Sequence, residues 1–203
     1  MRVLRCADAG LLVELDDLEA VLAMYAAVAD SLPNGVTDVV PATRTLLFRL
    51  DPDRADPAEI ERLIRSVEPG QHRQRDGGLL RVPVVYDGAD LADVAQLTGL
   101  TEREVVREHT AREWTVAFGG FAPGFGYLTG GSPRLEVPRR SESRTKVPAG
   151  AVGLAGAFSG IYPRQSPGGW QLIGRTDLET WRVERTPPAL LRPGVRVRFE
   201  EVG

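Results

Sequence analysis

The chain has 203 residues, 42% of them hydrophobic and 26% charged, the composition of an ordinary globular protein. Its formal net charge of −3 selects for neither nucleic acid nor a membrane surface, and its length admits one large domain or two small ones. A single cysteine, Cys6, excludes a disulfide framework and a cysteine metal cluster, and is what a reducing cytoplasm would permit.

Taken in chain order, the opening "MRVLRCADAGLLVEL" is broken by Arg5, Asp8 and Glu14. It lacks a signal-peptide core, and no apolar run approaches a membrane span. "RVLRC" and "LLVEL" predict two short strands joined by the turn residues Asp8 and Gly10. A helix follows, with Asp16 as its cap, Glu19 three residues on, and Leu18, Val21, Leu22, Tyr25, Val28, Ala29 and Leu32 at helical spacing. "PNG" stops it. "VTDVV" and "TLLFRL" predict two more strands, separated by Pro41. A second helix opens at "DPAE", with Asp56 as cap, Pro57 in the first helical position, and Ile60, Leu63, Ile64 and Val67 as its buried face. These two strand–strand–helix units predict a small α/β sandwich. The polar "EPGQHRQRDGG" then breaks the periodicity, so domains of 1–76 and 77–203 are expected, with His72 a solvated linker residue.

The second part starts with the strand "LLRVPVVY". Asp90 caps a helix that Gly99 ends, and Thr101 with Glu104 forms a capping box on the next. After Trp114 short apolar runs alternate with Gly and Pro: "WTVAF", "AVGLAG", "GIYP", "WQLIG", "TWRVER" and "VRVRFE". That spacing predicts a closed or sandwiched β structure with two helices at its ends.

Several chemistries are absent from the sequence. There is no G-x-x-x-x-G-K-[ST] loop, since Lys146, the only lysine, is followed by Val147 and Pro148. "GGFAPGFG" is glycine-rich, but Pro123 blocks the helix start a phosphate cradle needs. No H-E-x-x-H or G-x-S-x-G motif occurs, and two histidines far apart do not make a zinc site, so no metal is expected. His109, near the end of its helix, reads either as a packing residue or as an acid/base group just ahead of the glycine-rich stretch.

Three stretches stand out. In "FGGFAPGFGYLTG", Phe121, Phe125 and Tyr127 alternate with glycines such as Gly124, which suits either a barrel-end plug or an apolar pocket with freed backbone N–H groups. In "VPRRSESRTKVPAG", Arg139, Arg140, Arg144 and Lys146 cluster between prolines. They form either a solvated loop or a fixed array for a carboxylate or phosphate. "GIYPRQSPGGWQLIGRT" sets Gly168, Gly169 and Trp170 in a turn and Arg175 after a strand. It serves as tight turns, as a ligand surface, or as both.

Together "GFAPGFGYL", "PRRSESRTKVPAGAVGLAG" and "SGIYPRQSPGGWQLIGRT" resemble the KipI, or allophanate hydrolase subunit 1, family, the group that supplies the B component (PxpB) of the bacterial 5-oxoprolinase. The resemblance extends more loosely through "GVTDVVPATRTLLF" and "VPVVYDGADLADVAQLTGL". It implies an α+β chain: an N-terminal α/β domain, then a C-terminal cyclophilin-like β-barrel. It also implies ATP as co-substrate, a KipA-like partner (PxpC), a second partner (PxpA), and hydrolysis of 5-oxo-L-proline to L-glutamate. Related implications are inhibition of a sensor histidine kinase, or a part in urea carboxylase and allophanate chemistry. On this reading His109, Tyr162 and Ser166 are the catalytic candidates. Phe121, Pro123, Gly124, Phe125, Tyr127, Arg139, Arg140, Arg144, Gly168, Gly169, Trp170 and Arg175 are the substrate-binding ones. The sequence departs from the family pattern at Gly126, Gly131, Ser141–Ser143 and Ala157–Ser159.

Overall fold

A computed structural model describes residues 1–29, 31–67 and 77–203. The chain divides into two compact units, Met1–Arg75 and Asp76–Gly203. The polar boundary stretch from 68 to 76, His72 included, lies outside the described residues.

In the first unit, β1 (Arg2–Arg5), β2 (Gly10–Glu14), α1 (Leu18–Val28), β3 (Val36–Pro41), β4 (Thr45–Leu50) and α2 (Pro57–Ser66) repeat a strand–strand–helix order. The antiparallel sheet runs β1-β2-β4-β3. Leu11, Val13, Leu46 and Phe48 alternate onto one face of that sheet and meet Val21, Met24, Ile60 and Ile64 of the helices. The cap of α1 is Asp17, which accepts from the Ala20 N–H, and not Asp16. Pro41 belongs to β3 rather than separating strands. Leu63 is 45% exposed, because the two helical positions facing the sheet are already filled by Ile60 and Ile64. Leu32 lies beyond α1 and is exposed as well.

The second unit holds β5 (Leu79–Val84), α3 (Leu91–Thr98), α4 (Glu102–Thr110), β6 (Trp114–Gly119), β7 (Gly126–Thr129), β8 (Arg144–Val147), β9 (Ala151–Ala155), β10 (Phe158–Ile161), β11 (Ser166–Gly168), β12 (Gln171–Arg175) and β13 (Arg196–Glu201). Seven strands run β12-β9-β10-β7-β6-β13-β5. The sheet closes where Val85 and Arg175 exchange two backbone hydrogen bonds of 2.9 Å. The result is the α+β chain with a barrel that the sequence predicts. Three short strands escape the sequence reading: β7, β8 and β11, the last two forming their own ribbon. "TWRVER" is not a strand. Arg182 folds back onto Glu179, Val183 is 74% exposed, and Pro187 and Pro188 offer no N–H to a ladder.

β9 is buried on both faces and β12 nearly so, and strand alternation sorts the barrel's apolar residues into two cores. Val152 and Leu154 of β9, Leu128, Ile161 and Ile173 join one core with Val94 and Val105 of the helices. Ala151 and Ala155 of β9, with Phe125, Tyr162, Trp170 and Leu172, form a second, smaller cluster on the opposite face. Gly131, a departure from the family pattern, gives Trp114 its space: a Cβ there would stand 2.1 Å from the indole. Ser159, another departure, hydrogen-bonds His109.

Candidate functional site

The second cluster opens to solvent as a cleft of 140 Å³, lined by Phe121, Phe125, Tyr127, Arg139, Tyr162, Gly168, Gly169 and Trp170. Four segments supply these residues: the β6–β7 turn with the start of β7, the loop ahead of β8, the end of β10, and β11 with the turn after it. A cleft of that volume has room for several waters, the scale of a small metabolite.

Aromatic edges and faces build its walls. Phe125 lies edge-on to Phe121, Tyr127, Tyr162 and Trp170, with centroids 5.1–5.5 Å apart. Glycine is required where these rings crowd the backbone. A Cβ on Gly160 would stand 2.8 Å from Phe125, and one on Gly168 would stand 2.3 Å from the Tyr162 hydroxyl. Phe121 departs from ordinary backbone geometry, with φ of 62° and 55% exposure at the cleft mouth. Burial raises the Tyr162 pKa. The Trp170 backbone hydrogen bond and the Arg139 charge oppose that rise without reversing it. Tyr162 therefore stays protonated at neutral pH, which suits a hydrogen-bond donor and not a base.

The arginines divide. Arg139 lines the cleft, and among the described residues no carboxylate pairs with it. Arg140 and Arg144 each place a guanidinium nitrogen 2.6 Å from Oδ1 of Asp90. The loop carrying Arg139 is pinned rather than solvated. The Arg140 N–H donates to the Gly169 carbonyl at 2.8 Å, and the Gln171 amide donates to the Pro138 carbonyl at 3.2 Å. Arg144 lies in β8, paired with Gly168.

The structure does not bring the remaining candidates into the cleft. His109 is fully buried in the barrel core, with Nδ1 2.7 Å from the Tyr86 hydroxyl, Nε2 2.9 Å from Ser159 Oγ, and its ring stacked on Phe199. Burial lowers its pKa to about 3, so it is a neutral core residue sealed from solvent. Ser166 turns its hydroxyl to the Arg164 carbonyl. Gly124, with φ of 84°, packs its turn against Thr180 and Trp181, and Pro123 is exposed on that turn. Arg175 is exposed and paired with Asp87. Sequence reasoning missed Asp90 and Gln171, since nothing local separates a capping aspartate from one recruited by distant arginines. One signal existed: three clustered arginines with only Glu142 nearby call for a carboxylate from elsewhere. Among the described residues no group of three or more His, Cys, Asp or Glu side chains could hold a metal ion, and no helix is long and apolar enough to cross a membrane.

Residues 1–191 match the family described as carboxyltransferase domain, subdomain C and D. The B subunit of 5-oxoprolinase from Escherichia coli O157:H7 is 44% identical over 172 residues, covering 83% of this chain and 78% of that protein. Among solved structures, TTHA0988 superposes with a TM-score of 0.79 at 36% identity, over 96% of this chain. The chain spans 39% of TTHA0988's length. The urea carboxylase of Kluyveromyces lactis, at 18% identity and a TM-score of 0.74 over 99% of this chain, shares the fold.

Proposed function

Because the chain belongs to the carboxyltransferase-domain family, subdomains C and D, and there to the relatives that are B subunits of 5-oxoprolinase, we propose that it is the B component of an ATP-dependent 5-oxoprolinase complex acting in the cytoplasm with a KipA-like PxpC partner and a PxpA partner. The observation that carries this reading is the cleft: aromatic walls, one guanidinium without a carboxylate partner, and room for a small ring. 5-Oxo-L-proline offers the matching chemistry. Its flat five-membered ring meets Phe125, Tyr127 and Trp170, and its carboxylate meets Arg139. Its lactam oxygen accepts from the Tyr162 hydroxyl or from the glycine backbone at 168–169.

The chain's own contribution is to bind and orient. Walls of aromatic carbon exclude water from the ring, and a pinned arginine fixes the carboxylate end. Tyr162, held protonated, polarises the amide carbonyl without taking a proton. The sequence shows no phosphate-cradling loop of the G-x-x-x-x-G-K-[ST] kind. No nucleophile or base lines the cleft, which suits a component inactive alone.

The test is to combine the full chain with PxpA and PxpC and follow L-glutamate release from 5-oxo-L-proline and ATP. Release that needs all three components, with Arg139→Gln raising KM, is the expected result. A complete set that leaves 5-oxo-L-proline unchanged refutes the reading. So does a full chain that captures a sensor histidine kinase and never a KipA-like protein.

A further inference from the structure

The geometry points to Asp90 as the positioning residue of the cleft: one carboxylate, itself outside the cleft, holds two arginines and a main-chain N–H so that Arg139 alone is presented to a ligand's carboxylate. This rests on the reading of the cleft as a substrate site.

Asp90 is 1% exposed. Its Oδ1 accepts from Arg140 and Arg144, each at 2.6 Å, and its Oδ2 accepts from the Leu172 N–H at 2.7 Å. These partners lie 50, 54 and 82 residues along the chain, so one side chain joins the start of α3 to the loop ahead of β8, to β8 itself and to the start of β12. Asp90 occupies the cap position of α3 yet makes no side-chain bond to that helix. The helix forgoes the local bond such a residue ordinarily supplies, and the carboxylate faces the arginines instead. Burial alone would raise its pKa. The hydrogen bonds from Arg144 and the Leu172 N–H, with the charges of Arg144 and Arg140, outweigh that and keep it ionised.

Two consequences reach the cleft. Arg139 precedes Arg140, which is fixed at both ends: guanidinium on Asp90, N–H on the Gly169 carbonyl. Leu172 follows Trp170 by two residues, so the same carboxylate also holds the start of β12, directly after the turn that carries the indole and the glycine pair. Arg140 and Arg144 each commit one guanidinium nitrogen to Asp90, and neither lines the aromatic cleft. Two guanidinium groups on one carboxylate leave a net positive charge beside the site, and of the three arginines only Arg139 lines the aromatic cleft and has no carboxylate partner among the described residues.

The experiment is a double-mutant cycle of Asp90→Asn and Arg139→Gln in the assembled three-component complex, with Asp90→Glu as the milder variant. Arg139→Gln and Asp90→Asn are each expected to raise KM for 5-oxo-L-proline by about tenfold with little change in kcat, and Asp90→Glu to recover part of the loss. In the Arg139→Gln background Asp90→Asn is expected to add less than about twofold, since both remove the same interaction. Effects that multiply, or a loss in kcat alone, overturn the assignment. A second readout on the full chain needs no substrate: arginine modification by phenylglyoxal, followed residue by residue by mass spectrometry. Arg139 is expected to react about tenfold faster than Arg140 and Arg144 in the wild type, with that protection reduced in Asp90→Glu and lost in Asp90→Asn. Equal rates in the wild type overturn the assignment even if Asp90→Asn does not fold. A wild-type complex that ignores 5-oxo-L-proline while keeping the protection pattern sinks the substrate reading and leaves the hold of Asp90 on its two arginines intact.

Discussion

Replacing Phe121 by alanine and by glycine separates what its ring contributes from what its backbone costs. The residue sits at φ of 62°, in a three-residue turn closed by the Ala122 N–H on the Gly120 carbonyl at 2.6 Å. A non-glycine residue held there stores about 1–3 kcal/mol of strain. With 55% exposure, a little under half of the side chain is buried. That is roughly 90 Å² of a typical 200 Å², worth about 2 kcal/mol at ~25 cal/mol per Å². Phe121→Ala loses the ring contacts and keeps the strain, so it should fall about 2 kcal/mol below wild type. Phe121→Gly loses the same contacts and about 0.4–1 kcal/mol more through a freer unfolded chain, but it releases the strain. Glycine should therefore end about 1 kcal/mol more stable than alanine, against the usual order. Denaturant unfolding of the three proteins, read at equal m-value, measures this. An alanine variant more stable than the glycine variant would refute the claim that this turn is strained. Both variants should also raise KM by about fivefold if the ring covers the substrate face.

Three further outcomes follow from the same geometry. His109 has a native pKa of about 3 against about 6.5 unfolded, so the unfolded chain binds the extra proton between those values and stability falls with acid. Wild type should lose about 1.4 kcal/mol per pH unit from this group between pH 6 and 4, and His109→Gln, though less stable at pH 7, should show a flatter slope in acid unfolding titrations. Gly168→Ala forces a methyl to 2.3 Å from the hydroxyl of a buried tyrosine. The cost should be about 1–3 kcal/mol by thermal melting, with KM raised as Tyr162 shifts, and an unchanged KM would show that Tyr162 does not touch substrate. Arg175→Ala removes only an exposed pair with Asp87 and should leave KM unchanged in the assembled complex; a large KM effect would place Arg175 in the site after all.

The departures from prediction follow a pattern. Leu63 and Leu32 have the right spacing for burial, yet α2 buries only Ile60 and Ile64, and α1 buries Val21, Met24 and Val28 and ends before Leu32 is reached. "TWRVER" has strand composition but pairs only through the isolated bridge of Trp181 with Ala189, and the prolines just before that bridge offer no further ladder donors. β8 and β11 are too short and too rich in Gly, Pro and charge to show a period of two. Each becomes a strand only because the other lies beside it.

What the amino-acid order determined by itself is local. Capping residues and hydrophobic periods set α2, α3 and α4 and most strands of both units, because those signals act over a few residues. The motifs "GFAPGFGYL", "PRR" and "SPGGW" also marked which segments to watch, since glycine and proline restrict the backbone wherever they stand. The tertiary structure decided which side chains in those segments meet. It set Phe125, Tyr162 and Trp170 around one cleft and buried His109 on the other face of the sheet. It also drew Arg140 and Arg144 to an aspartate some fifty residues earlier. No local signal carries that choice, because the pairing of a buried charge depends on what the fold carries to it across the closed sheet.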